Sequence, residues 1–305
     1  MTKLIGCAVL ALLVSMTTGN AQNFEAGIEA YEVGDYASAL QEWRPLAEQG
    51  NAWAQGSLGL LYENGQGVKQ DYAEAIRWYR LAAEQGNALS QFSLGMLYYR
   101  GFGGVQDYSE AARWFRLAAE QGIATAQFNL GLMHSKGEGV TQDYAEAIRW
   151  WQLGAQQNDI ESQYFLGVMH FNGLGVIQDR GEGARWYRRA AEQGLAEAQY
   201  ALALVYSNGQ GVAQNDVEAS KWYRNAAEKG HAAAQYFLGV SYSIGQGLSQ
   251  DWVSAYMWMT IAVDNGYVSG AIPPSSLASI MNASDISEAL RRARACLASG
   301  YEDCY

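Results

Sequence analysis

A spacing of 36 residues recurs through most of this chain and constrains its fold more than any other feature of the sequence. An acidic or amide residue returns at this interval without an insertion or deletion, at Asp35, Asp71, Asp107, Asp143, Asp179, Asn215 and Asp251. Tryptophan follows the same interval, at Trp78, Trp114, Trp150, Trp186, Trp222 and Trp258, and so does glutamine, at Gln55, Gln91, Gln127, Gln163, Gln199 and Gln235. A fixed period of this length indicates one supersecondary unit stacked many times.

Each repeat has the pattern of two antiparallel helices. The second helix begins at the aspartate, for example Asp71, whose side chain can accept hydrogen bonds from free backbone N–H groups, and Glu74 follows as in a capping box. It ends at a glycine such as Gly86, where a left-handed C-cap is easiest to form. The first helix of the next repeat ends at a Gly-x-Gly turn such as Gly65-Gln66-Gly67. Together with the glycines that end the second helices and those that follow leucine in the first helices, these turns account for 23 of the 34 Gly, against only 3 Pro.

Residues 54–86 resemble the Sel1-like repeat, a relative of the tetratricopeptide repeat. The residues that carry the resemblance are Leu58-Gly59, Tyr62, Gly65-Gln66-Gly67-Val68, Asp71, Ala75, Trp78-Tyr79, Ala82-Ala83 and Gly86. The resemblance extends over about residues 35 to 266. It implies an all-α fold, an α/α superhelical solenoid of 36-residue helix-turn-helix repeats.

We expect one continuous array in which two caps flank six repeats. The repeats occupy residues 51–266, and residues 22–50 form an atypical N-terminal capping repeat. After Gly266 the pattern is lost and Pro273-Pro274 blocks a helix, so residues 267–305 are predicted to be C-terminal cap helices.

The amino terminus has the pattern of a Sec-type signal peptide. Lys3 precedes an apolar run over residues 4–16, and small residues lead to a cleavage site after Ala21, so we expect residues 1–21 to be removed. The run is too short to span a bilayer, and no later stretch is long enough. The predicted location is therefore the periplasm or the exterior. Pairing of Cys296 with Cys304 is the default expectation in such an oxidising compartment.

Charge and motifs argue against several classes of function. The net charge of -11 opposes binding to nucleic acid or anionic lipid. No sequence motif of a hydrolase, metalloprotease or nucleotide-binding enzyme is present, so we predict neither catalytic residues nor a cofactor. His134 and His170 occupy one repeat position and are the best metal candidates. Two histidines without a carboxylate are too few ligands for a typical metal site. We therefore favour the interpretation that each imidazole packs at a position where other repeats have tyrosine.

The resemblance also implies an extended concave surface lined by the first helices. One stripe on these helices changes from repeat to repeat, as a surface for a non-repetitive partner must. The candidate partner-binding residues are Trp53, Arg100, Met133, Phe165, Met169 and Phe237. Irregular packing between successive repeats is the alternative explanation.

The primary hypothesis is a non-enzymatic protein–protein interaction scaffold or regulator in the cell envelope, which binds a protein segment in this groove. Similar exported repeat proteins act as regulators of envelope signalling or as assembly factors. One alternative is a β-lactamase-like hydrolase, because some exported relatives have been linked to that activity, although their intrarepeat cysteines are missing here. Another is binding of peptidoglycan or other cell-wall glycan along aromatic side chains.

Overall fold

The computed structural model describes residues 18–104, 106–268 and 273–304, and these residues form helices joined by short turns, without a strand among them. The sixteen helices are α1 (Thr18–Glu32), α2 (Tyr36–Glu48), α3 (Ala52–Asn64), α4 (Tyr72–Glu84), α5 (Ala88–Arg100), α6 (Tyr108–Glu120), α7 (Ala124–Lys136), α8 (Tyr144–Gln156), α9 (Ile160–Asn172), α10 (Arg180–Glu192), α11 (Ala196–Asn208), α12 (Asp216–Ala227), α13 (Ala232–Ile244), α14 (Trp252–Asp264), α15 (Pro274–Ala278) and α16 (Ala283–Ala298). The predicted fold class, an all-α solenoid of repeated helix pairs, is confirmed.

The chain forms two compact units, residues 1–150 and 151–305. In the first unit α3 packs on α4 and α5 on α6, and in the second α9 packs on α10, α11 on α12 and α13 on α14. We call the first helix of each such pair, together with α7, an A helix, and its partner, together with α2 and α8, a B helix. Each unit is therefore built from the same helix pair, repeated.

Aspartates start the B helices as predicted. The Asp71 carboxylate accepts hydrogen bonds from the backbone N–H groups of Ala73 and Glu74, at 2.9 and 3.1 Å. The predicted second half of the capping box is wrong, however. The N–H of Asp71 donates to the carbonyl of Tyr62 at 3.0 Å, and Glu74 instead forms an ion pair with Arg77 at 2.9 Å. Because the end of the A helix already accepts that N–H, the glutamate is available to a cation three residues later.

A glycine at one position of most A helices lets the two helices of a repeat approach closely, whereas α11 has Ala203 there. A Cβ atom at Gly59 would lie 2.6 Å from Cδ1 of Tyr79, and one at Gly95 would lie 2.7 Å from Cδ1 of Phe115. Both distances are below van der Waals contact, so only glycine fits without a shift of the ring.

The buried glutamines join neighbouring repeats. Gln55 Nε2 donates to the carbonyl of Ala47 at the end of α2, and its Oε1 accepts from Gln85 Nε2 just after α4, at 3.1 and 2.7 Å. Gln91 repeats this arrangement in the first unit, and Gln235 does so in the second. One side chain on an A helix therefore binds the ends of two B helices.

A disulfide closes the C-terminal segment of the second unit. Cys296 is bonded to Cys304, with their Cα atoms 4.4 Å apart. In the loop between them, the hydroxyl of Tyr301 accepts a hydrogen bond from Asn265 Nδ2 at 2.7 Å, just after α14. Helix α16 itself packs against α14 through buried Ala289 and Ala293.

The predicted signal peptide, residues 1–21, falls mainly outside the described residues, which begin at Thr18. Within the described ranges, no helix combines the length and the apolar character that crossing a membrane requires.

Candidate functional site

His134 occupies a tyrosine position of the repeat and is held as a tyrosine is held. In most repeats an arginine on the B helix donates to the hydroxyl of this tyrosine, as Arg44 does to Tyr62 at 3.1 Å. In the repeat of His134, the imidazole Nε2 lies 3.5 Å from Nη2 of Arg116. Burial lowers the pKa of His134 below its ordinary value, while the charge of Glu146 opposes this shift and the charge of Arg116 adds to it. A neighbouring guanidinium opposes cation binding, so this position favours packing.

His170 lies in the second unit and is half-buried. It lines an open surface depression of about 770 Å³ together with Asp179, Arg180 and Glu182. Over the residues that the structure describes, no group of three or more His, Cys, Asp or Glu side chains could hold a metal ion.

Two of the predicted partner-binding residues are core residues instead. The side chains of Met133 and Met169 are 0% and 4% exposed, so the prediction is wrong for both. At about 100° per residue, their repeat position is about 80° around the helix from that of Trp53. That rotation places it beside the face that packs against the B helix. Leu61, Leu97 and Val205 share the position and are buried as well.

The other four predicted residues reach the surface to different extents. In the first unit, Trp53 is half-buried against the core, and Arg100 is exposed at the end of α5. In the second unit, Phe165 and Phe237 are half-buried. The ring of Phe165 lies 5.0 Å from that of Trp151, and the ring of Phe237 stacks on Tyr223 at 5.5 Å between centroids. Their role in binding a partner remains a prediction.

The sequence reasoning missed two positions that flank this stripe on the A helices. They lie about 60° and 20° from the position of Trp53, on the side away from the methionines. In the second unit these positions and the phenylalanine position make one half-buried surface, which we call the second-unit A face: Tyr164, Phe165, Val168, Tyr200, Ala201, Leu204, Phe237 and Val240. The change from Gly56 and Phe92 to tyrosine at one of these positions was a signal that could have revealed it.

Carboxylates and an imidazole border the second-unit A face. Glu161 and Glu197 are exposed, and each precedes a tyrosine, Tyr164 or Tyr200, by one helical turn. Burial raises the pKa of Tyr164, and the charge of Glu197 raises it further. The ring of His231 stacks on Tyr200 at 4.5 Å, and its Nδ1 accepts the N–H of Ala234, which caps α13.

Glu197 also acts on His231. Burial lowers the pKa of this imidazole, and the charge of Glu197 opposes the shift. One carboxylate therefore influences both Tyr164 and His231, so it lies among the rings at the rim of the second-unit A face.

Comparisons with known proteins identify the repeat. The model of the Sel1 repeat matches residues 54–87, 88–123, 124–159, 160–195, 196–231 and 232–267. A Sel1 repeat protein from Oxalobacter formigenes is 33% identical over 79% of this chain and 96% of its own, with a TM-score of 0.71.

A second crystal structure, c5321, is a protective antigen of uropathogenic Escherichia coli with an SLR fold. It is 27% identical over 92% of this chain and 70% of its own, with a TM-score of 0.58. No curated protein sequence matches this chain significantly. Because six consecutive matches account for residues 54–267, the chain belongs to the Sel1 repeat family.

Proposed function

We propose that this protein is a non-enzymatic scaffold or regulator for protein–protein interaction in the cell envelope, and that it binds a protein segment on its A helices. Sel1 repeat proteins are generally non-enzymatic scaffolds that bind other proteins. The observation that carries the proposal is the second-unit A face, where aromatic and aliphatic side chains stay half-buried while other positions build the scaffold.

The distribution of residue types supports this surface. The glutamine and glycine positions serve helix packing and hold nearly the same residue in every repeat. The positions of Tyr164 and Phe165 vary from repeat to repeat, and these rings pack on Tyr187 and Trp151 while part of each side chain stays accessible. Tyrosine and phenylalanine contribute large contact areas at interfaces with little loss of side-chain entropy. A segment that lies across α9, α11 and α13 would contact these rings in succession.

Substitution of Ala201 by arginine is the sharpest test of the proposal. Ala201 lies on the second-unit A face and is half-buried, so Ala201→Arg places a long charged side chain on the surface without removing a packed ring. Alanine at Phe165 or Phe237 would be less clean, because each ring packs on a neighbour and its loss would open a cavity. The immobilised chain should capture its partner from envelope extracts, and Ala201→Arg should reduce capture by about tenfold or more.

Asn129→Arg is the matched control, since Asn129 holds the same repeat position in the first unit and is also half-buried. Circular dichroism should show the same helicity for both variants. Retained capture by Ala201→Arg, or equal loss with Asn129→Arg, would reject the second-unit A face as the binding surface.

The envelope location is a separate part of the proposal. It is supported by the apolar pattern of residues 4–16 with small residues before Ala21, and by the bonded pair Cys296 and Cys304. Fractionation of cells that express the full chain should place it outside the cytoplasm, with a mature mass that starts at Gln22 and cysteines resistant to alkylation. A cytoplasmic chain that retains residues 1–21 would contradict this part alone.

A further inference from the structure

The acidic groups at the rim of the second-unit A face have no cation beside them on the same helices. Glu161 is on α9 and Glu197 on α11, and the sequences of α9, α11 and α13 contain no lysine or arginine. The ion pairs of the second unit involve Glu182, Glu218 and Glu288 instead. Among the described residues, neither Glu161 nor Glu197 belongs to an ion pair. Two charges of one sign are thus presented to solvent next to apolar surface.

One lysine of the second unit lies at a helix end. Lys229 follows α12, and its Nζ lies 3.0 Å from the point that a Cβ atom of Gly194 would occupy. That contact places the ammonium group at the end of α10. This lysine is therefore held at the end of a B helix.

The rings on this face also favour a cation. Tyr164 and Tyr200 are half-buried, which leaves part of each side chain accessible, and one face of the Tyr200 ring is covered by His231. An accessible face of an aromatic ring attracts an ammonium or guanidinium group. Glu197 is close enough to influence the ionisation of Tyr164 and of His231, which stacks on Tyr200. Carboxylate and rings thus converge on one place.

We infer, on the basis of the proposed function, that the segment bound by the second-unit A face presents a lysine or arginine to Glu197, between the rings of Tyr164 and Tyr200, with apolar residues on either side. Glu161, in the same position of the preceding repeat, provides a second carboxylate for a further cationic residue. The stem of such a side chain covers apolar surface while its charged end reaches the carboxylate. The occupant is therefore a basic, apolar segment of another protein.

Short extended peptides that differ only in charge test this inference. Each peptide alternates leucine and valine with either lysine, glutamine or glutamate, and binding to the purified chain is followed by fluorescence anisotropy. The lysine peptide should bind about tenfold more tightly than the glutamate peptide, as one charge-assisted contact warrants. This preference should decrease as salt rises, since the carboxylates are exposed.

Charge variants of the chain assign the effect to the rim. Glu197→Gln should remove most of the preference for lysine peptides, and the double variant Glu161→Lys, Glu197→Lys should reverse it in favour of glutamate peptides. Glu218→Gln is the matched control, because it removes one charge from a B helix of the same unit. Circular dichroism verifies that each variant is folded.

The outcomes separate this inference from the proposed function. The inference that the bound segment is basic is overturned by any of three results: equal affinity for the three peptides, no binding of any of them, or loss of the preference with Glu218→Gln. If Ala201→Arg still abolishes capture of the partner, the proposed function survives that result. Concentration-dependent dimers that compete with the peptides would place a second copy of this chain on the face and likewise overturn the inference.

Discussion

Two A helices of the first unit carry a basic residue where they end, Arg100 on α5 and Lys136 on α7, whereas two of the second unit carry an acidic residue where they begin, Glu161 on α9 and Glu197 on α11. Their half-buried positions differ as well. Serine, asparagine and phenylalanine occupy them in α5 and α7, at Ser93, Asn129, Phe92 and Phe128, whereas α9 and α11 present tyrosine at Tyr164 and Tyr200.

Beneath these surfaces the two units use one scaffold. Gln91 binds the ends of two B helices in the first unit, and Gln235 does the same in the second. The difference between the units thus lies in positions that the scaffold leaves free. Repeats of this kind separate the residues that hold the fold from those that choose a partner.

Loss of the disulfide should have the largest effect and should act on the second unit. Replacement of Cys296 and Cys304 by alanine removes a closed loop, which costs about 2–3 kcal/mol in the chain-entropy model, and releases Tyr301 from Asn265. Hydrogen exchange should accelerate in α16 and at the end of α14, with α3–α6 unchanged. Equal acceleration in α3–α6 would show that the two regions do not respond separately.

Replacement of a close-approach glycine by alanine should lower the unfolding free energy by a similar amount in the two units. A Cβ atom would lie 2.7 Å from Cδ1 of Phe115 for Gly95→Ala and 2.5 Å from Cδ1 of Tyr187 for Gly167→Ala. Each variant should lose about 1–3 kcal/mol of unfolding free energy, measured by chemical denaturation. A cost confined to one variant would mean that the scaffolds differ.

Glutamine at residue 229 should stabilise the second unit by about 1 kcal/mol. Gln199 Oε1 is buried without a hydrogen-bond partner, whereas Gln91 Oε1 accepts from Gln121 at 2.7 Å. Lys229→Gln supplies the missing donor. Gln121→Lys should remove the equivalent hydrogen-bond donor from the first unit and destabilise it by a similar amount. Denaturation midpoints measure both changes. A destabilising Lys229→Gln would show that Gln199 is already satisfied.

Acid should weaken each unit through one histidine. The pKa of His231 is lowered from 6.5 by burial, so the folded chain keeps this cap neutral while the unfolded chain takes up the proton. Its contribution is complete above about pH 6.5 and is lost as pH falls through the folded pKa. Asn51 and Asn87 cap α3 and α5 at the equivalent position, so His231→Asn should retain the cap without the pH dependence.

His134→Tyr is the counterpart in the first unit, because the pKa of His134 is lowered as well and tyrosine is the usual residue at this position. The unfolding free energy is measured from pH 7.5 to pH 5, about the range in which histidine titrates, and it should depend less on pH in each variant than in the unchanged chain. An unchanged slope in both variants would assign the acid sensitivity to carboxylates.

Much of the fold could be predicted because each sequence pattern that marks a helix start or end recurs in several repeats. Asp71 and its equivalents mark the start of B helices, and Gly86 and Gly65 mark helix ends, by local backbone chemistry that any repeat shows. The partner of Glu74 could not be predicted in this way. The backbone N–H of Asp71, which Glu74 would accept in a capping box, instead donates to a carbonyl of another helix.

The candidate site was predicted less well, because the exposure of a side chain depends on which neighbouring helix packs over its position. Variation between repeats selected Phe165 and Phe237, which are half-buried, yet it also selected Met133 and Met169, which are buried in the core. The roles of Tyr164, Tyr200 and Glu197 depend on neighbours from adjacent repeats, which a single helical pattern does not specify.

Site-specific photo-cross-linking tests the central claim most directly. A benzophenone amino acid is placed at Ala201 on the second-unit A face, at Ser93 in the same position of the first unit, or at Lys221 on the exposed side of α12. On irradiation in the native host, Ala201 should give a covalent protein adduct whose peptide is basic and apolar, with little product from Ser93 or Lys221. Adducts of equal yield at all three positions, or adducts from Ser93 alone, would contradict the assignment of partner binding to the second-unit A face.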